Sequence, residues 1–143
     1  ASFLAGKAIN IAKTTAPHAL SYAFTSNYNI PHGHAVTLTL PSFIEFNYQL
    51  TDADCNDTRG VDFVKKNIEE ICQIFDTSPS NCKEVISAFI LSLDIEIDIK
   101  KLIGDKFNPR IIINSINFER LNNNPRSINV EKIKDFLTIN VIN

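Results

Sequence analysis

The stretch that decides the fold is residues 16–35, which read APHALSYAFTSNYNIPHGHA. Its first part predicts the start of a helix, because Pro17 suits a first helical position, where its missing N–H costs nothing and its φ is preset. Its second part, Pro-His-Gly at 31–33, predicts a tight turn into another helix. The stretch holds all three histidines of the chain, and His18 and His32 stand 14 residues apart. Two imidazoles brought together from a helix start and the next turn are a candidate pair of metal ligands.

Hydrophobic spacing predicts helices over most of the remaining chain. From Gly60 to Phe75 the apolar residues recur every three or four positions, which is the spacing of an amphipathic helix. Ser78 and Pro79 are typical of a cap and first turn, so the next helix is predicted from there to about Leu93. The other helices predicted from the pattern are 2–14, 17–27, 34–48 with a kink at Pro41, and a last helix that Asn129 caps and that ends near Thr138.

One segment has the pattern of a strand. From Leu93 to Ile99 apolar and acidic residues alternate strictly, which favours a β-strand. Because the chain offers no second convincing strand to pair with it, we interpret the segment as an extended connection between helices.

Composition limits the classes of function. A chain of 143 residues forms one domain, and its 44% hydrophobic and 21% charged residues are ordinary for a globular protein. The net charge of −2 argues against nucleic acid as a partner, since such binding needs a basic face. No apolar run approaches the length of a membrane span, so we expect no membrane partner.

The cysteines indicate a reducing compartment. Cys55, Cys72 and Cys82 are odd in number and form no C-x-x-C pair, which is typical of free thiols. We therefore expect a cytoplasmic protein whose thiols are buried or incidental rather than metal ligands.

The two histidines stand in a frame that resembles the second signature of the iron-containing (group III) alcohol dehydrogenases. In that signature a histidine early in one helix is followed by small residues, and a Pro-His-Gly comes roughly four turns on. Members of the phosphonoacetaldehyde-reductase-like branch of the family look similar to this chain in the stretch Lys13-Thr14-Thr15. The resemblance runs from Leu4 to about Leu137 and is specific between Ala5 and Asn47. The matching segments are Leu4-Ala5-Gly6, His18-Ala19-Leu20-Ser21-Tyr22, Pro31-His32-Gly33, Ala35 to Asn47, and Asn123-Asn124-Pro125-Arg126.

The resemblance implies an all-α domain of about seven helices, the C-terminal half of the dehydroquinate synthase-like fold of these enzymes. It also implies a helix at about 109–119, where three consecutive isoleucines favour a strand on propensity alone. The chain has no Gly-rich phosphate loop, no Asp-x-x-x-His before His18 and no Met. We therefore expect residues 1–143 to be a C-terminal metal-binding fragment that lacks its N-terminal nucleotide-binding domain.

The same resemblance implies the chemistry of the site. It assigns His18 and His32 as two of four protein ligands of a divalent metal, with Fe²⁺ expected and Zn²⁺ as the alternative. Such a metal polarises an alcohol or carbonyl oxygen, while hydride passes to or from NAD or NADP, bound mainly by the missing domain. The alternative is that each histidine makes only local hydrogen bonds.

Two further side chains of residues 16–35 are candidates. Tyr22 stands one helical turn after His18, where many family members have a second histidine, and its phenol is a candidate catalytic group that hydrogen-bonds the substrate oxygen. A role that needs an imidazole is in doubt at this position. His34 is a candidate for orienting His32 or a bound water, the alternative being a side chain that packs or faces solvent.

Lys13, Thr14 and Thr15 replace a small, Gly-containing stretch that is common in the family just before the first ligand. A lysine, two hydroxyls and a helix start favour an anion, so these residues are candidates for binding a phosphonate or carboxylate of the substrate. The alternative is a surface lysine near a helix end.

We interpret the chain as the C-terminal half of an NAD(P)- and metal-dependent alcohol dehydrogenase or aldehyde reductase acting on a small anionic aldehyde or alcohol. Its expected partners are its own N-terminal domain, the small-molecule substrate and a second copy in a homodimer, and the chain alone is expected to be inactive. Two alternatives stay open: a non-catalytic helical interaction domain with structural histidines, and a dehydroquinate synthase-like lyase.

Overall fold

The computed structural model of the protein describes residues 2–142, and the side chains of residues 2–138. Within this range the chain forms ten α-helices and one short 3-10 helix, and no strand beyond a single bridge between Cys55 and Arg126. The predicted all-α fold is confirmed. The helices are α1 (Ser2–Ile11), α2 (Ala16–Tyr28), α3 (His32–Thr37), α4 (Leu40–Tyr48), α5 (Val61–Ile74), α6 (Cys82–Ser92), α7 (Ile99–Ile103), α8 (Pro109–Asn114), α9 (Phe118–Leu121) and α10 (Val130–Ile142), with the 3-10 helix at Gly104–Lys106.

Two of the seven predicted helices are each divided in two. The predicted helix 34–48 is α3 followed by α4, because Pro41 takes a first-turn position of a new helix instead of kinking the interior of a longer one. The predicted helix 109–119 is α8 followed by α9. There the Asn117 side chain accepts the Arg120 backbone N–H and so caps the second helix.

Differences also occur around α6 and α7. Ser78-Pro79 lies in a turn, and α6 begins three residues later, at Cys82. Of the segment 93–99, which we interpret from the sequence as an extended connection, only residues 95–98 have neither helix nor turn. The helix α7 follows directly, because the Asp98 side chain accepts the backbone N–H groups of Lys100 and Lys101.

Two groups of buried apolar side chains form the core. The first surrounds α2, whose Leu20 and Phe24 are fully buried, and α2 packs against α3, α4, α8 and α9. The second joins α4, α5 and α6 through residues such as Ile68 and Ile86. Full burial of one such side chain stabilises the fold by about 1.5–3 kcal/mol. The helix that carries His18 therefore packs within the core against four other helices.

The first helix differs from the others because none of its residues is buried. Phe3, Leu4, Ile9 and Ile11 are all more than half exposed. Separately, none of the helices in the described part of the chain is both long and apolar enough to span a membrane.

Candidate metal and substrate site

His18 lies in the first turn of α2, on a rigid backbone. Thr15 precedes the helix with an extended backbone conformation, and Pro17 occupies a first-turn position. The neighbours of His18, Ala16 and Ala19, are fully buried, while His18 itself is half-buried. The helix start therefore holds the backbone of His18 and leaves its imidazole at the edge of the core.

His32 opens α3 after Pro31 and faces His18. The centroids of the two imidazole rings lie 5.6 Å apart, and the ring planes are tilted by 57°. Two imidazoles that share one metal ion at their usual bond lengths have centroids roughly 5 Å apart. The turn between α2 and α3 thus brings the two predicted ligands to a spacing close to the one that a shared ion needs.

Ser21 fixes the orientation of the His32 ring, and the motif analysis did not assign it this function. Its hydroxyl donates to the His18 carbonyl at 2.8 Å, and its Oγ lies 3.2 Å from His32 Nδ1. A hydroxyl that donates its one proton to a carbonyl can accept from an imidazole N–H, so this geometry suits the His32 tautomer with its proton on Nδ1. That tautomer leaves the Nε2 lone pair of His32 available to a metal.

The electrostatics of the pair also suit ligation. The pKa of His18 lies below its ordinary value, first because burial disfavours the imidazolium and second because of the neighbouring His32. A metal binds the neutral imidazole, so both effects favour the form that acts as a ligand.

Tyr22 extends the pair toward solvent. Its ring centroid lies 4.9 Å from that of His32, and the side chain is 45% exposed. Arg120 is far from Tyr22 in the sequence, but its guanidinium carbon lies 4.4 Å from the Tyr22 ring centroid. Sequence analysis missed Arg120, because only the packing of α9 on α2 brings it here.

His34 makes its contact elsewhere. Its Nε2 is hydrogen-bonded to the backbone carbonyl of Glu96, in the extended segment before α7. Within the described residues, the side-chain hydrogen bond of His34 therefore joins α3 to this segment and does not involve His32.

Residues 13–15 lie next to a cavity that is separate from the His18–His32 pair. Lys13 and Thr15 line a cavity of about 570 Å³ between the α1–α2 connection, α4 and α5. The Thr14 carbonyl accepts the Asn123 side-chain amide at 3.4 Å. The described wall of this cavity is mostly apolar and does not include His18 or His32.

No group of three or more His, Cys, Asp or Glu side chains converges within residues 2–138. In the described part of the chain, the candidate ligands that the sequence predicts, His18 and His32, therefore have no third such side chain converging with them. A metal ion held by this pair needs its other ligands from another segment or from water.

Comparisons with known proteins agree with these features. The family model for the C-terminal part of Fe-containing alcohol dehydrogenases matches residues 1–141. A phosphonoacetaldehyde reductase from Streptomyces viridochromogenes is 25% identical over 134 residues, which is 90% of this chain and 32% of that relative. The chain thus spans about a third of the length of this curated relative. No solved structure matches significantly. With the match over nearly its full length, the chain belongs to the Fe-containing alcohol dehydrogenase family, as its C-terminal part.

Proposed function

We propose that this chain is the metal-binding helical domain of an NAD(P)-dependent alcohol dehydrogenase or aldehyde reductase. The observation that carries the proposal is the His18–His32 pair, with ring centroids 5.6 Å apart, beside a Ser21 oxygen that suits the His32 tautomer with a free Nε2. Membership of the Fe-containing alcohol dehydrogenase family supports it independently.

His18 and His32 supply two of the metal ligands in this proposal, and Fe²⁺ is the first candidate, with Zn²⁺ as the alternative. When bound, the metal polarises the substrate oxygen as a Lewis acid. Tyr22 borders the His32 ring and is half-exposed, so its hydroxyl is available to hydrogen-bond that oxygen. His34 steadies α3 through Glu96.

The proposed substrate is a small aldehyde or alcohol with an anionic group. Support comes from the relative, whose name is phosphonoacetaldehyde reductase, although it is only 25% identical. Lys13, with Thr14 and Thr15, remains a candidate anion site from the sequence, and Lys13 and Thr15 line an open cavity beside the start of α2.

The proposal includes an N-terminal nucleotide-binding domain that binds NAD or NADP and packs on this one. The exposed apolar side chains of α1 supply a surface suited to such packing. We further propose a cytoplasmic enzyme that forms a homodimer, and we expect the 143-residue chain alone to be inactive.

The test uses the full-length protein with His18→Ala and His32→Ala variants. Either change should lower bound metal at least about tenfold and abolish turnover with NAD or NADP, because each removes a ligand. Metal content, turnover and helical circular dichroism are measured together, with Glu70→Ala, an exposed position on α5, as the control.

Stoichiometric metal and a near-normal rate in both histidine variants would show that the ligand assignment is wrong. Turnover by the 143-residue chain alone would show that the division into two domains is wrong.

A further inference from the structure

Arg120 brings a positive charge to the site from a distant part of the chain. It lies on α9, which packs on α2 and is anchored by the buried Leu121. The Arg120 guanidinium carbon is 4.4 Å from the Tyr22 ring centroid, and that centroid is 4.9 Å from the centroid of His32. These two distances place the guanidinium within the length of one small molecule from the His18–His32 pair.

The Arg120 guanidinium is available for a ligand. Arg59 and Arg126 form ion pairs with Asp57 and Asp54, but no carboxylate of the described residues lies within ion-pair distance of Arg120. Its side chain is exposed, and its guanidinium carbon lies over the face of the Tyr22 ring. Stacking uses the flat face of a guanidinium and leaves the N–H groups at its edge free to donate.

We propose that Arg120 is the specificity-determining residue that binds the anionic group of the substrate, a phosphonate, while the carbon to be reduced or oxidised lies against His18 and His32. The inference rests on the proposed function and adds the residue that selects the substrate class. Arginine suits this role because its fork of donors binds two phosphonate oxygens at once. Tyr22 holds the fork in place by stacking, so less side-chain entropy is lost when the anion binds.

Lys13 is the rival cation. It lines the cavity beside α4 and α5, whose described wall does not include either histidine of the pair. Arg120, in contrast, touches a side chain that itself touches His32. The contacts therefore favour Arg120 for a substrate whose anion and reacting carbon are only a few bonds apart.

The kinetic test compares Arg120→Gln with Arg110→Gln in the full-length enzyme. Arg110 is the matched control, because it is an exposed arginine of α8 with no ion pair among the described residues. The kcat/KM of Arg120→Gln for phosphonoacetaldehyde should fall about tenfold or more, the effect of one lost charge-assisted contact, while that for propanal changes less than about threefold. The kcat/KM of Arg120→Lys for phosphonoacetaldehyde should lie between those of the unchanged enzyme and of Arg120→Gln, since a lysine keeps the charge without the fork of donors.

A binding measurement separates this inference from the proposed function. Methylphosphonate is titrated into the full-length protein and followed by NMR signals of the His32 and Tyr22 rings. Saturable shifts that Arg120→Gln removes and Arg110→Gln keeps would support the anion site even if no aldehyde is turned over. Two results would overturn it: equal losses for phosphonoacetaldehyde and propanal in Arg120→Gln, or a selective loss in Lys13→Ala with none in Arg120→Gln.

Discussion

Ser21 shows how one hydroxyl can set the state of a neighbouring imidazole. Its hydroxyl donates to the His18 carbonyl, so its oxygen is positioned to accept from His32 Nδ1. Ser21 itself is fully buried on α2, whereas His32, at the other end of the contact, is exposed. A group that orients a ligand in this way typically contributes ten- to a hundredfold to metal affinity.

We therefore expect Ser21→Ala in the full-length protein to weaken metal binding about tenfold, because His32 loses the partner of its Nδ1. Metal affinity is measured by competition with a chelator. Ser42→Ala is the matched control, since it removes another buried hydroxyl, on α4, away from the pair. Equal affinities in the two variants would mean that the Ser21 contact does not prepare His32.

At the level of single residues, the sequence predicts only those parts of the site that are close together in the chain. His18 and His32 are close in the chain, so helix and turn signals at Pro17 and Pro31 suffice to predict that they approach each other. The proximity of Arg120 depends on how α9 packs against α2, and no motif encodes that packing. The assignment of both histidines as ligands stays a prediction.

Among the elements, two loops and the end of α4 form one polar joint. Arg126 donates to Asp54 at 2.6 Å and to the Phe46 carbonyl at 2.9 Å. The side-chain amides of Asn47 and Asn124, both buried, bond to each other. Since the neighbouring Asn123 contacts the Thr14 carbonyl, this joint also steadies the start of the helix that carries His18.

Asp54 should make stability depend on pH. Its pKa is lowered by the Thr51 backbone N–H and then by Arg126, so its contribution is present above the ordinary pKa of the carboxyl and is lost as pH falls through the lowered one. We expect Asp54→Asn to lower the free energy of unfolding by about 1 kcal/mol at pH 7 and by much less at an acidic pH below the lowered pKa of Asp54.

Urea unfolding of this chain at both pH values measures the effect. The control is Asp52→Asn, an exposed aspartate in the same loop, which should change little at either pH. A loss for Asp54→Asn that is the same at both pH values would rule out the ionised pair as its source.

How well a helix is predicted from the sequence depends on its length and on what stabilises it. The helix α5 has a strong apolar periodicity, so both of its ends are predicted to within one residue. The helix α7 has five residues and is held by the Asp98 cap and by the burial of Ile99. A helix so short has little stability of its own, so tertiary contacts determine whether it forms. The alternating pattern that runs into its first residue gives no sign of a helix.

For the whole molecule, the distribution of apolar surface is uneven. The core around α2 is closed, while α1 buries nothing and exposes Phe3, Leu4 and Ile9. The chain also spans only 32% of the length of its curated relative. These two facts support the proposal that α1 packs against another part of a longer enzyme, since an exposed apolar helix face usually marks an interface.

The corresponding prediction compares two forms of the protein. In the 143-residue chain, the double substitution Leu4→Gln and Ile9→Gln should change the free energy of unfolding by less than about 0.5 kcal/mol, because both side chains are exposed and Gln is about as good a helix former as either. Leu20→Ala, in the closed core, should cost about 2–5 kcal/mol in the same urea titration. In the full-length enzyme the double substitution should destabilise by more than about 1 kcal/mol, since burial of each side chain against the N-terminal domain would then be lost. If the double variant behaves alike in both forms, α1 is not the packing surface.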